Sequence, residues 1–330
     1  MTHIQHRMDD FGSITGEVIV ETTICFSTVF TSTVYHTLKE TIEDVIMDPS
    51  YGESDLVCRK WMERKTMRDN YEDDLGIAGS GLASETAEGT SIPAVTIQED
   101  YVTRYFSRKF TSKIMVTEET VEDCKYEKVI EMARHLKRSM YKTMDIDMTM
   151  ILVRATNASY VGGDGVALAS TAHTLANGGT FSNMFAVAQS PSRLALINAT
   201  SQIKKYPGHD GITEGYKPMK IVSPTEQWAV WAGILGSTHA PEAGQFNEIN
   251  VMNTSNGPYD LSAIDIPYWD NTTTNWGIIT DAPNGINYRV RRKPRTRSWV
   301  DNDQEVMNNS ISARWAKGWS DPRGFFFSEA

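Results

Sequence analysis

Cysteine is scarce and irregular in this chain: Cys25, Cys58 and Cys124 are its only three among 330 residues. An odd number at no recognisable spacing suggests neither a disulfide framework nor a zinc site, and fits a reducing compartment. Long apolar runs are also missing, none approaching the roughly 18 residues of a membrane span. The most apolar early stretch, Val18 to Phe30, is interrupted by Glu21 and a series of Thr and Ser. The first ten residues, with His3, His6, Asp9 and Asp10, lack the basic and apolar blocks of a secretory signal. A cytosolic product without a membrane partner is therefore expected. Positive charge is in deficit: 32 Lys and Arg against 42 Asp and Glu give a net charge of −10. Such a surface does not coat nucleic acid as a whole, although a local basic patch could still contact it. No Gly-Lys dipeptide, G-x-G-x-x-G, H-E-x-x-H or C-x-x-C occurs, so no cofactor or metal site is expected.

What is present is enough apolar material (40%) for a core, in a length that suggests about two domains or one domain with extensions. A short helix is predicted around Tyr35 to Met47. Between Asn70 and Val102 lie Glu72, Asp73, Asp74, Glu85, Glu88, Glu99 and Asp100 with no Lys or Arg, a local charge of −7. Apolar residues then fall on odd positions (Val95, Ile97, Tyr101, Tyr105), the period of a strand, and move to even positions after Phe106 (Phe110, Ile114, Val116), as at a bulge or strong twist. The spacing predicts an extended two-stranded excursion whose arms, at about 3.3 Å per residue, reach on the order of 50 Å. A lone ribbon of this kind is marginal in water, so it is expected to lie on something else, a neighbouring copy being the economical candidate.

A single long helix is predicted from an N-cap at Thr117 to about Val153, roughly 55 Å at 1.5 Å per residue, with a packing stripe through Val129, Met132, Ala133, Leu136, Met140, Met144, Met148 and Ile151. Further on, the pattern predicts a helix over Pro191 to Lys205 and a strand over Met219 to Ser223. A helix from Pro224 to Leu235, capped by Ser223, should follow. The last 45 residues invert the charge, with nine Lys and Arg against five Asp and Glu. In a strand, Arg289, Arg291, Lys293, Arg295 and Arg297 would share one face, and Pro294 would place that strand at a sheet edge or interrupt it. Ile311, Ala313, Trp315 and Trp319 mark a second strand. The one constellation of catalytic residue types, Asp164, Ser170 and His173, would need mutual hydrogen-bond reach to work as a hydrolase triad; side chains tying up loop backbone are the structural alternative.

The run Asp164-Gly-Val-Ala-Leu-Ala-Ser-Thr-Ala-His173, followed by Gly178-Gly179 and Ser182-Asn183, resembles the major head proteins of tailed bacteriophages, especially the Mu-like major head subunit group. The ending Ala313-Arg-Trp-Ala-Lys-Gly-Trp-Ser-Asp-Pro-Arg-Gly324 looks like that group's C-terminus. The resemblance implies an α+β chain with the Hong Kong 97-type capsid fold. Residues 1–66 would form an N-terminal arm, 67–112 an extended β-hairpin loop, 113–206 a peripheral domain with a spine helix, 207–285 an axial domain, and 286–330 returning peripheral strands. It also implies a non-enzymatic subunit that assembles with identical copies into hexamers and pentamers of an icosahedral or prolate head. The expected partners are a separate scaffold protein, a portal protein, an optional cement or decoration protein, and packaged double-stranded DNA contacted without sequence preference. The product would reside in the virion after assembly in the bacterial host cytoplasm. A nanocompartment shell holding protein cargo is the alternative, and a Ser/His hydrolase the remote one. Some relatives cross-link a loop Lys to Asn; no Lys lies between Lys65 and Lys109, so such a bond at the loop tip is not expected.

The charge map suggests how copies would meet. The acidic loop residues Glu72, Asp73, Asp74, Glu85 and Glu88 complement the basic row Arg289, Arg291, Lys293, Arg295 and Arg297. If the loop reached its own strand the contact would be a private salt-bridge set; it is expected instead to dock over the basic strand of an adjacent subunit, with inward contact of that strand to DNA as the alternative.

Overall fold

The computed structural model describes residues 32–47, 52–77, 99–123, 126–175, 177–239, 249–253, 258–269 and 274–329, with scattered positions between 82 and 94. The expectations for the first 31 residues, and for Val95 and Ile97, lie outside the described residues.

A four-stranded sheet has the order β1 (Glu63–Thr66), β10 (Ile286–Asp301), β11 (Val306–Trp319), β4 (Arg108–Thr117). β1 runs parallel to β10, and the other pairs are antiparallel. Alternation places Phe110, Ile114 and Val116 of β4 and Ile311, Ala313 and Trp315 of β11 on the inner face. Against them lies helix α4 (Tyr126–Val153), presenting Leu136, Met140, Met144, Met148 and Ile151 at steps of three or four. Met132, placed on this stripe by spacing, is instead 44% exposed.

Polar groups lock the helix to its surroundings. Asp147 accepts from both Arg108 of β4 and the Trp315 indole at 2.9 Å, and pairs with Lys317 at 3.0 Å. Burial lowers the proton affinity of Lys317 despite this carboxylate. Phe110 stacks on Trp315 with centroids 4.0 Å apart. On the helix's other flank, buried Asp145 accepts from the Val57 and Cys58 amides at 3.2 and 2.9 Å. It thereby satisfies the open N-terminus of the short helix α2 (Cys58–Trp61). Helix α1 (Ser32–Met47) adds Leu38 and Ile42 to the same core.

A second sheet, ordered β12 (Phe325–Ser328), β9 (Trp276–Thr280), β7 (Pro218–Pro224), β8 (Ser262–Ile266), separates two cores. Ile221, Trp276, Ile278 and Phe326 face helices α5 (Arg193–Lys204) and α6 (Trp228–Gly236). Val222, Ile264, Ile266, Phe325 and Phe327 face the first core. The terminal Phe-Phe-Phe thus serves both sides by simple alternation. Gly324 and Gly285 approach so closely that a Cβ on Gly324 would stand 2.4 Å from the Gly285 Cα; only glycine fits there.

Four local expectations change. The helix foreseen from Thr117 to Val153 is broken into α3 (Glu118–Glu122) and α4, shortening the main helix to 28 residues or about 42 Å. No Pro or Gly announces that break. The parity change after Phe106 is a passage between sheets: β3 (Glu99–Phe106) pairs with β2 (Tyr71–Ile77), while β4 pairs with β11. Ser223 is a buried strand residue and caps nothing; a 3-10 turn over Thr225–Gln227 precedes α6. The final strand also leaves the first sheet and closes the edge of the second.

Phe326 is fully buried, edge-on to Phe185 at 4.8 Å. Phe326→Ala is expected to cost about 3–5 kcal/mol in chemical denaturation. A loss below about 1 kcal/mol would contradict the shared-sheet packing.

Candidate intersubunit surface

β2 and β3 form the antiparallel ribbon, with Tyr71 opposite Phe106 at its root and a register shift between Leu75 and Ile77. Alternation turns Glu72 and Asp74 to one face and Asp73 to the other. Glu72 and Asp74 both meet Arg289, at 3.2 and 2.7 Å, and the guanidinium lies 3.9 Å from the Tyr105 ring centroid. Arg289 is 6% exposed. A chain of donors completes the clamp: Asn287 Nδ2 gives to the Tyr105 hydroxyl at 3.0 Å, Tyr105 gives to Ser320 Oγ at 2.8 Å, and Ser320 gives to Asp74 at 2.6 Å. Gly318 makes room for Tyr105, since a Cβ there would lie 2.8 Å from the ring. Arg291 and Arg314 both donate to Asn70 Oδ1, at 3.0 and 2.8 Å.

Glu72, Asp74, Arg289 and Arg291, expected to join two subunits, are therefore engaged within one chain. The reason is connectivity. β1 pairs with β10 up to Val290, and Met67 N–H still donates to the Val290 carbonyl, so the ribbon leaves the sheet beside Arg289. Asp73 is engaged as well, accepting from Arg104 Nε and Nη2 at 2.6 and 2.7 Å across the ribbon, which holds its carboxyl below the usual range. Farther out, the Tyr101 hydroxyl bonds the Thr174 carbonyl at 3.0 Å, and Thr103 packs beside Gly163.

The opposite face of the ribbon is bare. Tyr71, Leu75, Val102 and Phe106 are 51, 45, 53 and 60% exposed, with the Asp73–Arg104 bridge between them and Arg104 lying over Tyr71 at 4.8 Å. Glu85 and Glu88, in the connection between the strands, are exposed. The side chains of Glu99 and Asp100 lie outside the described residues.

The outer face of the first sheet is basic across three strands, not along one. Register aligns Arg292, Arg314 and Lys109 in one row, and Arg297, Ser310 and Lys113 in another. Burial and the neighbouring Arg295, Arg314, Arg297 and Arg291 lower the proton affinity of Arg292. Lys293, Arg295 and Arg297 are exposed and make no ion pair among the described residues. Beyond Val290 the outer edge of β10 is unpaired among the described residues, and two register shifts fall between Val290 and Arg295, the second spanning Pro294. Bulges, Pro and Lys are how proteins protect a free edge, which explains Lys293 and Pro294. Edge protection does not explain Arg314, on an inner strand directly opposite Arg292, where like charges repel. Spacing missed Arg292 because the register shifts change its parity. The odd-position alternation of Lys109 and Lys113 was available as a signal.

The Asp164–His173 pair is a staple. His173 is fully buried, with Nδ1 2.6 Å from Asp164 Oδ2 and Nε2 3.1 Å from Asn183 Oδ1. Asn183 Nδ2 donates to the carbonyls of Leu168 and Pro322 at 2.6 and 3.1 Å. Ser170 Oγ accepts from the Ala172 amide at 3.1 Å, and its own N–H goes to Asn183. Both ring nitrogens of His173 are directed at Asp164 and Asn183, and Ser170 Oγ is bonded to the Ala172 amide instead, so the three side chains do not form a triad and the hydrolase reading is corrected. Among the described residues no His, Cys, Asp and Glu group could hold a metal, and no helix is long and apolar enough to cross a membrane.

A family model described as phage capsid protein matches residues 100–327. Solved structures resemble the fold at low identity. One from Microbacterium phage Oxtober96 is 9% identical, covers 85% of this chain and 92% of its own, and has a TM-score of 0.52. One from Mycobacterium phage Bobi is 13% identical over 84% and 91%, with a TM-score of 0.51. One from Mycobacterium phage Adephagia is 12% identical over 91% and 98%, with a TM-score of 0.51. No curated protein matches the sequence.

Arg289→Ala leaves Glu72 and Asp74 facing each other over a buried gap. It is expected to cost about 3–5 kcal/mol and to speed amide exchange along both ribbon strands. Unchanged exchange there would show that the clamp does not hold the root.

Proposed function

The chain belongs to the phage capsid protein family, and from that premise we propose that it is the major shell subunit of a head enclosing double-stranded DNA. Copies associate as hexamers and pentamers in an icosahedral or prolate shell of the Hong Kong 97 type, on the Mu-like branch. Its role is structural, its place is the virion, and assembly takes place in the host cytoplasm with a separate scaffold protein, a portal and an optional cement protein. The observation that carries the reading is the family match over residues 100–327.

The contact between copies follows from what each subunit leaves uncovered. The ribbon is fixed at its root but presents Tyr71, Leu75, Val102 and Phe106 to solvent. A face with four large apolar side chains around a charged bridge has the make-up of an interface centre. The acids still exposed at its far end, Glu85 and Glu88, complement Lys293, Arg295 and Arg297, and the basic face continues to Lys109 and Lys113. The ribbon of one subunit lies across this face of the next. Each exposed ion pair contributes about 0.2–1 kcal/mol and is screened by salt, so a single contact is weak and reversible. Closure multiplies it over every subunit.

Reversal of Lys293, Arg295 and Arg297 to Glu is expected to leave folded subunits that form no closed particles by electron microscopy. Adding Glu85→Lys and Glu88→Lys should restore closure. Normal shells that merely retain less DNA would assign the basic face to the packaged genome instead. Particles filled with protein and free of DNA would favour the nanocompartment.

A further inference from the structure

Helix α6 reads Trp-Ala-Val-Trp-Ala-Gly-Ile-Leu-Gly over Trp228–Gly236, without one polar or charged side chain. A helix apolar on every side is ordinarily buried on every side. Here only one arc is, with Trp231, Ile234 and Leu235 in the second core. Trp228 remains 60% exposed and Val230 45%, and Ala229, Ala232, Gly233 and Gly236 face outward with them. Ile249 and Val251, 66 and 46% exposed, extend the patch past the helix C-terminus. They are held there because Asn250 donates to the Ile234 and Ser237 carbonyls at 2.6 and 2.9 Å. Thr225, Glu226 and Thr238 are exposed at its ends.

The glycines add an independent point. Glycine is the poorest helix former after proline, yet a Cβ at Gly233 or Gly236 would meet no atom within 4 Å, and neither residue has a left-handed backbone. Nothing among the described residues requires them. Their missing side chains leave room for a body approaching from outside.

The four large side chains expose on the order of 400 Å² together. That is about half of the ~800 Å² each partner contributes to a standard interface, enough for its apolar centre. A membrane surface is a poor occupant, because interfacial helices carry Lys and Arg on their polar side and α6 has neither. In a shell of identical subunits, the bodies beside each subunit are copies of itself.

We infer that α6 and the segment around Ile249 and Val251 dock against a second copy of this chain, forming an apolar contact separate from the charged ribbon contact. This rests on the shell reading above. Gly233→Arg places a charge at the centre of the patch, in space that is open in the single subunit. The variant should fold with an unchanged melting temperature and lose closed particles at least tenfold. As a second readout, a thiol introduced by Ala232→Cys should react with maleimide in free subunits and about tenfold more slowly in intact particles. Particles from Gly233→Arg at the unaltered yield, or equal labelling in both states, would overturn the inference alone. Absence of particles from the unaltered chain would overturn the shell reading and the inference together.

Discussion

A buried guanidinium must be paired, and Arg289 is paired by its own chain. Losing one partner of such a group costs several kcal/mol, so Glu72 and Asp74 cannot leave it without replacement. That requirement fixes where the ribbon emerges and which of its faces turns inward. Tyr105 and Ser320 join the same network, tying the ribbon to the strand that ends beside the second sheet. Everything the ribbon offers to another molecule follows from this anchoring: the inward face is occupied, and the outward face carries the exposed apolar residues.

The rest of the subunit gives that anchor a rigid seat. The long helix is held on the sheet by Asp147 and by methionines at helical spacing. The second sheet is sandwiched between two cores by the alternation of three consecutive phenylalanines. The His173–Asp164–Asn183 staple binds an otherwise irregular, glycine-rich segment to the C-terminal strand. Each of these parts limits motion. A subunit built this way presents fixed surfaces, and fixed surfaces suit repeated association.

Local periodicity was legible where packing is local. The odd-position pattern through Tyr101 and Tyr105 marks the ribbon's inward face, and the strand at 306–319 follows its alternation. Pairings across the chain were not legible. Glu72 and Arg289 are 217 positions apart, and no spacing rule reveals that complementary charges will meet within one subunit. The basic row looked continuous because two register shifts near Pro294 leave no mark on a strict alternation. The cluster of Asp164, Ser170 and His173 was visible as residue types, but its role depended on Asn183 occupying the second ring nitrogen. The apolar helix α6 was foreseen as a helix, while its exposed arc required knowing which side the core takes.

The central claim is a division of contacts: the ribbon's root belongs to its own subunit, and its outer face to a neighbour. Side-chain density from cryo-electron microscopy of assembled particles tests this most directly. The account predicts Arg289 bound to Glu72 and Asp74 of the same chain, with Tyr71, Leu75, Val102 and Phe106 covered by an adjacent copy. Density placing those four residues in solvent, or Arg289 on a neighbour's carboxylates, would contradict it.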